Sequence, residues 1–541
     1  MKSNKIKIYI LFTAIILLIT GCTSSSSLKA VAPTPTPTAY VEDWLGVSTT
    51  IKVPVPSEIE STNPYFVEKK DTISLYNLIY EPLIQLDESN SPQPCLAKSW
   101  RVDEDGTTWT FIIRDGVYWQ NTNREINAQD VVFTLDLMNQ IKKDSIHCRV
   151  MGYIKSWQRV DDRTLVIKTY EPFYGVLMAM NFPILPYDAG YTTGESQPSV
   201  PVGTGPFYVS DFRPGVRIEL LANENWWKTL PEIRTVIGEI YDNTELALSA
   251  MSLGQIDVIA TDETAVTQIR EGGGINAFEY NTNYYEFLMP NIGNNILLRD
   301  KKVRQAIALG INRQEIISNV YVNHAVVTES PIQPSCWLYE GTVTGYEQDI
   351  EEAKRLLILA GWKKENEDDL YFNISPDGVY TDFTLDLLTN TSEYDSLRYE
   401  SAVIIQKQLA EIGIKVNIRT AEWDLFPTRI KEGYYDLLLA GWYVDELPDY
   451  RKLFETDGVN NLSGYSSEEM DEILDNIMKQ STEEGLKSSL RQFQNLLVED
   501  VPVISLFFRT NTLLTRGGII NVTDVKDDSA YCTINDWNVI D

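Results

Sequence analysis

Residues 402–412 (AVIIQKQLAEI) stop at Gly413 and pass at once into residues 414–418 (IKVNI), where Ile414, Val416 and Ile418 alternate with polar neighbours. A helical run closed by glycine and followed directly by a period-two strand is an α-then-β junction, which belongs to layered mixed folds.

Working outward, helix signals gather in the second half of the chain. Asn312 with Glu315 forms a capping box ahead of Ile316 and Ile317. Asp349 with Glu352 does the same ahead of Ala353, Leu356, Leu357 and Ala360, with Gly361 as the stop. Ser466 with Glu469 predicts a third start, and Met470, Ile473, Leu474, Ile477 and Met478 then follow the spacing of one helix face. Strand signals lie earlier. Trp109, Phe111 and Ile113 alternate up to Asp115-Gly116, and Val117 and Trp119 resume the pattern, which predicts a hairpin over 107–119. A second hairpin is predicted over 207–220 around Pro214-Gly215, and Leu165, Val166 and Ile167 give another strand. The body reads as α/β with a β-richer first third.

The N-terminus has a different character. Lys2, Lys5 and Lys7 precede an apolar run over 8–19, which is short for a bilayer span and right for a signal-peptide core. The string Ile19-Thr20-Gly21-Cys22 resembles a bacterial lipoprotein cleavage box, which implies cutting before Cys22 and lipid on its sulfur. The Ser-, Thr- and Pro-rich stretch 23–39 has almost no large apolar side chain and reads as a stiffened tether. The chain is thus expected to work outside the cell, anchored to the outer face of the cytoplasmic membrane or in the periplasm. No later segment is apolar for long enough to span.

Composition narrows the function classes. The 541 residues carry 46 Lys plus Arg against 77 Asp plus Glu, a formal charge of −31. Loss of Lys2, Lys5 and Lys7 with the leader takes this to −34. Nothing there supplies the basic surface that nucleic acid requires. His147 and His324 are too few and too distant for a His-rich metal centre, and no Cys-x-x-Cys pair occurs, so no metal or cofactor is expected. Cys95, Cys148, Cys336 and Cys532 allow three pairings, and the sequence assigns no disulfide among them. The chain has no G-x-S-x-G, no H-E-x-x-H and no P-loop, and Pro206 spoils Gly203-Thr204-Gly205 as a dinucleotide loop. An enzyme is not expected.

Several blocks taken in order resemble one family. Tyr80-Glu81-Pro82-Leu83 leads to Pro94-Cys95-Leu96-Ala97-Lys98-Ser99-Trp100, then Asp105-Gly106-Thr107-Thr108-Trp109-Thr110-Phe111 and Asn127-Ala128-Gln129-Asp130-Val131-Val132-Phe133. Gly203-Thr204-Gly205-Pro206-Phe207, Asn223-Glu224-Asn225-Trp226-Trp227, Gly254-Gln255-Ile256-Asp257-Val258 and Val303-Arg304-Gln305-Ala306-Ile307-Ala308 continue it. The sequence resembles the extracellular solute-binding proteins of peptide- and nickel-type ABC importers, family 5, over almost everything after the tether. The resemblance implies a two-lobed, periplasmic-binding-protein-like clamshell of the large class II type, with a β-rich domain inserted in the first lobe. By position it implies a leader at 1–21, a lipidated cysteine and tether at 22–44, lobe I at 45–81, 199–297 and 505–541, the insertion at 82–198, and lobe II at 298–504. Crossovers are implied near 287–292 and 503–508, as hinges.

The resemblance also implies a site. In peptide-binding members an Asp shortly after Gly-Trp pairs with the peptide α-ammonium, and Ala440-Gly441-Trp442-Tyr443-Val444-Asp445 carries that motif. Asp445 is therefore the expected anchor, the alternative being a turn-capping carboxylate beside Glu446 and Asp449. Trp442, Tyr443 and Trp423 are expected as cleft walls, with core packing the alternative reading for either tryptophan. Tyr65 in Asn63-Pro64-Tyr65 matches a segment near the cleft, or is part of a turn entering lobe I. Arg429 is a candidate for a ligand carboxylate, or a surface arginine.

The function so implied is capture of an oligopeptide or dipeptide by a monomeric, lipid-anchored receptor and delivery to the permease subunits of an ABC transporter. Alternatives on the same scaffold are a nickel chelate, an oligosaccharide or a signalling peptide; a surface hydrolase is a third class.

Overall fold

Two long antiparallel strands, Ile275–Pro290 and Ile504–Arg516, run side by side through the middle of the molecule and pair along most of their length. They come from a computed structural model that describes residues 49–540 apart from 57–58, 60, 142–144, 195, 214, 263–273, 367–368, 375–379 and 445. The leader, Cys22 and the tether lie outside the described residues.

The paired strands belong to a seven-stranded sheet that continues in both directions. On one side Val258–Thr261 pairs with the end of Ile504–Arg516. On the other, Leu437–Tyr443 pairs antiparallel with residues 284–290, followed by Thr384–Asn390 and Lys415–Ala421, which run parallel to it. The two long strands thus sit side by side inside one mixed sheet, at the positions where the resemblance implies crossovers.

A four-stranded sheet pairs Thr50–Pro56 parallel with Thr235–Tyr241, followed by Arg217–Ala222 and Phe207–Arg213. A separate antiparallel sheet has the order Ala97–Val102, Thr108–Ile113, Thr164–Thr169, Ile154–Arg159. Its alternation buries Trp109, Phe111 and Ile113, and the helix Ala128–Gln140, capped by Asn127, packs on the strands Ile154–Arg159 and Thr164–Thr169. Gly203 and Gly205 pass directly over the backbone of Leu78 and Ile79, where any side chain would collide. That contact, not a phosphate loop, accounts for the Gly-Thr-Gly string.

In the second half of the chain, Asn312 and Asp349 cap the helices Arg313–Asn319 and Ile350–Leu359, and Gly361 follows with φ 92°. The helix Ser396–Glu411 leads through Gly413, at φ 76°, into Lys415–Ala421. The amphipathic helix Glu468–Ile477 starts one residue later than the sequence suggested. Ser467 accepts from the Met470 N–H, while the Ser466 hydroxyl lies against Thr456.

One predicted hairpin does not form. Thr108–Ile113 is flanked on both edges, by Ala97–Val102 and Thr164–Thr169, so Val117–Trp119 has no free edge to join. Gly116 makes the turn at φ 75°, and Tyr118 then bridges Glu125 instead. The hairpin Phe207–Arg213 with Arg217–Ala222 forms as predicted, with Pro214 outside the described residues. Among the described residues no helix is long and apolar enough to cross a membrane.

Candidate functional site

The parallel strands Thr384–Asn390, Lys415–Ala421 and Leu437–Tyr443 end on the same side, with Asn390 paired to Ala421. In α/β sheets ligands collect beyond the carboxyl ends of such strands, because the connecting loops diverge there. Tyr394 follows the first strand, Trp423 the second, and Val444 to Leu447 the third. The rings of Tyr394 and Trp423 are stacked with centroids 4.2 Å apart and planes at 4°.

Trp442 and Tyr443 are neighbours on one strand and so point to opposite faces. Trp442 packs into an aromatic cluster, 4.2 Å from Phe287 and 6.2 Å from Tyr285 between ring centroids, with Phe454 at 6.1 Å. Gly441 precedes it for a steric reason: a Cβ there would come within 2.7 Å of the Tyr284 ring and 2.9 Å of the Arg398 guanidinium. That guanidinium forks onto Glu286 at 2.9 and 3.0 Å, and Arg509 donates to Glu286 at 2.8 Å and to Asp395 at 2.6 Å. The four charges are mutually paired and join both crossover strands to the helix Ser396–Glu411. Burial would push Asp395 up, but Arg509 and Arg398 outweigh it and hold its carboxyl below the usual range.

Tyr443 turns the other way, into a cavity of about 170 Å³ between the lobes. Ile73, Leu86, Val150, Met178, Phe182 and Leu447 supply apolar wall, and His147, Arg149, Glu446, Lys526 and Asp528 stand among its polar groups. A second cavity of about 530 Å³ shares Glu446, Lys526 and Asp528 with the first. A concave pocket in which apolar side chains and several convergent polar groups meet is the usual make-up of a small-ligand site. Burial lowers the His147 pKa to about 4, so the ring is neutral near pH 7. Burial, with the carboxylates of Asp527, Asp528 and Glu446 nearby, pushes the Tyr443 phenol far above its ordinary value.

Hydrogen bonds from several segments hold this wall. Lys70 pairs with Asp527 at 2.7 Å, and its ammonium lies 4.9 Å from the centre of the Tyr443 ring. The Asn283 backbone N–H donates to Asp527 at 3.2 Å, and its side-chain amide to Glu446 at 2.9 Å. Other contacts close the lobes around the cavities. The Tyr153 hydroxyl donates to Asp449 at 2.7 Å, and the Trp337 backbone and indole N–H groups donate to the carbonyls of Ser89 and Asn90, each at 2.9 Å. Gln333 donates to the Thr282 carbonyl at 2.7 Å.

The residues singled out from sequence are distributed unevenly around this site. Tyr443 lines the first cavity. Asp445 lies outside the described residues, between Val444 and the cavity-lining Glu446. Trp442 is directed into the aromatic cluster, and Trp423 is 44% exposed on its stack with Tyr394, lining neither cavity. Tyr65 is buried one layer behind the wall, edge-on to His147 at 5.7 Å, with its hydroxyl donating to the Pro183 carbonyl. Arg429 sits exposed on the helix Phe426–Glu432, paired with Glu432 at 2.9 Å, and lines neither cavity. Lys70, His147, Glu446, Lys526, Asp527 and Asp528 were not picked out as ligand groups; Val525-Lys526-Asp527-Asp528 reads locally as an ordinary charged tail. Among the described residues no group of three His, Cys, Asp or Glu side chains is placed to hold a metal ion.

Comparison with known proteins agrees with this architecture. The heme-binding protein A of Haemophilus influenzae is 27% identical over 92% of this chain and 93% of its own length. The dipeptide-binding protein of Escherichia coli is 29% identical over 73% and 76%. Among solved structures, the oligopeptide-binding protein AppA of Bacillus subtilis in complex with a nonapeptide is 23% identical, with a TM-score of 0.64 over 92% of this chain and 99% of that one. The profile of the bacterial extracellular solute-binding proteins, family 5 Middle, matches residues 91–461. With that match spanning well over half its length, the chain belongs to the family 5 bacterial extracellular solute-binding proteins.

Proposed function

We propose that this protein captures peptides between its lobes and delivers them to the membrane permease of an ABC importer, without chemistry of its own. The observation that carries this reading is the partly open cavity whose wall contains Tyr443 and Glu446, on either side of Asp445 in sequence. Dipeptide- and oligopeptide-binding relatives support peptide as the ligand class. Peptides share an α-ammonium, a backbone and variable side chains, so a carboxylate at the loop combined with an apolar chamber matches their common chemistry. Asp445 is the proposed ammonium partner. Trp423 and Tyr394 form a proposed aromatic rim at the same strand ends, and Arg429 lies farther along that lobe as a candidate for longer ligands. In this reading the receptor is a monomer, divided as the resemblance implies, and is held at the outer membrane face by lipid on Cys22 after cleavage of the leader.

Native mass spectrometry of the purified protein tests the ligand class directly. The expected result is a retained adduct with peptide mass that fragments into amino acids. A retained heme, sugar or metal chelate, or turnover of added peptide by pure protein, overturns the reading.

A further inference from the structure

The two acidic residues at the end of 524–528 are neighbours in sequence and opposites in circumstance. Asp527 is buried and fully engaged, by the Lys70 ammonium and the Asn283 N–H. Asp528 stands in the wall of both cavities, and among the described residues no Lys, Arg or His lies within ion-pair distance of it and no other side chain hydrogen-bonds to its carboxylate. Its nearest positive charge, Lys526, is turned to donate to the Leu86 carbonyl at 2.7 Å. A partly buried carboxylate without a partner is costly, and a cation supplied by a ligand offsets that cost.

The surroundings add to the same field. Around the larger cavity stand the carboxylates of Glu88, Glu279, Glu446 and Asp524 besides Asp528, together with Asp527, which Lys70 already pairs, and Lys526 is the ammonium in its described wall. Glu88 and Asp524 lie close enough to share a hydrogen bond, which raises the Glu88 pKa, so negative charge is crowded at this mouth. The smaller cavity next to it sets Ile73, Val150, Met178 and Phe182 beside His147 and Arg149, with room for one side chain of moderate size. A ligand occupying both chambers meets apolar side chains in one and an excess of carboxylates in the other.

We propose that Asp528 is a second cation-pairing group of this cleft, selecting peptides that carry a Lys or Arg side chain beside an apolar one. The inference rests on the peptide reading above and deepens it. In this arrangement the α-ammonium goes to the 445–446 loop of lobe II, while the basic side chain goes to the C-terminal segment of lobe I. Both lobes then hold one positive charge of the same ligand.

The test uses calorimetry on the purified protein with Ala-Leu-Lys and Lys-Leu-Ala, each beside its counterpart with norleucine in place of lysine, which keeps the chain length and removes the charge. In at least one order the lysine peptide is expected to bind about tenfold tighter, the scale of a partly desolvated charge pair. Asp528→Asn is expected to cut that advantage to under about threefold. The advantage should also shrink between about 50 mM and about 500 mM salt. Equal binding of lysine and norleucine peptides in both orders, or an advantage that survives Asp528→Asn, overturns the proposal and leaves peptide capture standing. If Asp528→Asn loses the norleucine peptides too, the wild-type ratio and its salt dependence decide the matter. Failure of all four peptides to bind counts against the peptide reading itself.

Discussion

The ammonium of Lys70 lies 4.9 Å from the centre of the Tyr443 ring, 373 positions away in sequence. The fold therefore sets a cation on an aromatic face in the wall of the cavity, and the same cation neutralises the buried Asp527. One side chain has two tasks, and substitutions on its two sides separate them.

Tyr443→Leu removes the aromatic face and keeps the Lys70–Asp527 pair. Ligand affinity is expected to fall by about 0.5–1 kcal/mol from this contact, with folding stability little changed. Lys70→Met removes both interactions and leaves Asp527 with the Asn283 N–H, which is expected to lower folding stability by about 1–3 kcal/mol. Denaturant titration and calorimetry on both variants check the order; equal stability losses would refute the division.

Asp445→Ala is expected to weaken peptide binding by about 2–5 kcal/mol, the scale for leaving a ligand ammonium without its partner. N-acetylated peptide should show a similar loss against the wild-type protein and little further loss against the variant. Unchanged affinity removes Asp445 from the site and leaves Glu446, hydrogen-bonded to Asn283 in the cavity wall, as the loop's candidate.

The paired charges at the crossover strands give a stability prediction. Arg398→Met strands Glu286, which is 1% exposed, with Arg509 as its remaining cation. The expected loss is about 3–5 kcal/mol of folding stability. Replacing Arg398 and Glu286 together by Met and Leu should cost less than Arg398→Met alone, because the two charges then left, Arg509 and Asp395, remain paired with each other. Thermal and denaturant unfolding of the three proteins would show it, and a double variant worse than the single one would mean that the pair acts chiefly by positioning the strands.

The sequence carried the layers of this fold further than the site. The caps at Asn312 and Asp349 and the stops at Gly361 and Gly413 are local, since each satisfies a helix end within a few residues. The hairpin at 107–119 was misread because its alternation is real but its partners, 97–102 and 164–169, are chosen by the tertiary sheet. The Gly-Trp-Tyr string led to Tyr443, whereas Asp527 meets Lys70 across a sequence separation of 457 residues, and no spacing rule reaches that far. Trp442 and Tyr443 share one motif, and strand alternation sends one to the aromatic core and the other to the cavity.

His147 supplies a pH dependence whose sign follows from its burial. The ring lies edge-on to Tyr65 in the cavity wall, and burial depresses its pKa from 6.5 to about 4. Below pH 6.5 the unfolded chain therefore takes up a proton that the folded protein refuses, so stability falls as pH falls, by up to about 1.4 kcal/mol per pH unit until about pH 4. Above pH 6.5 this contribution is fully present and constant. Carboxyls such as Asp395 titrate lower and act in both proteins alike, so the comparison of wild type with His147→Leu isolates the histidine. Denaturant titrations at about pH 7 and about pH 5 should show the wild type losing more stability than the variant by roughly 2 kcal/mol. Equal losses would place a protonated, hydrated ring in the cavity, and the first chamber would then be a polar one.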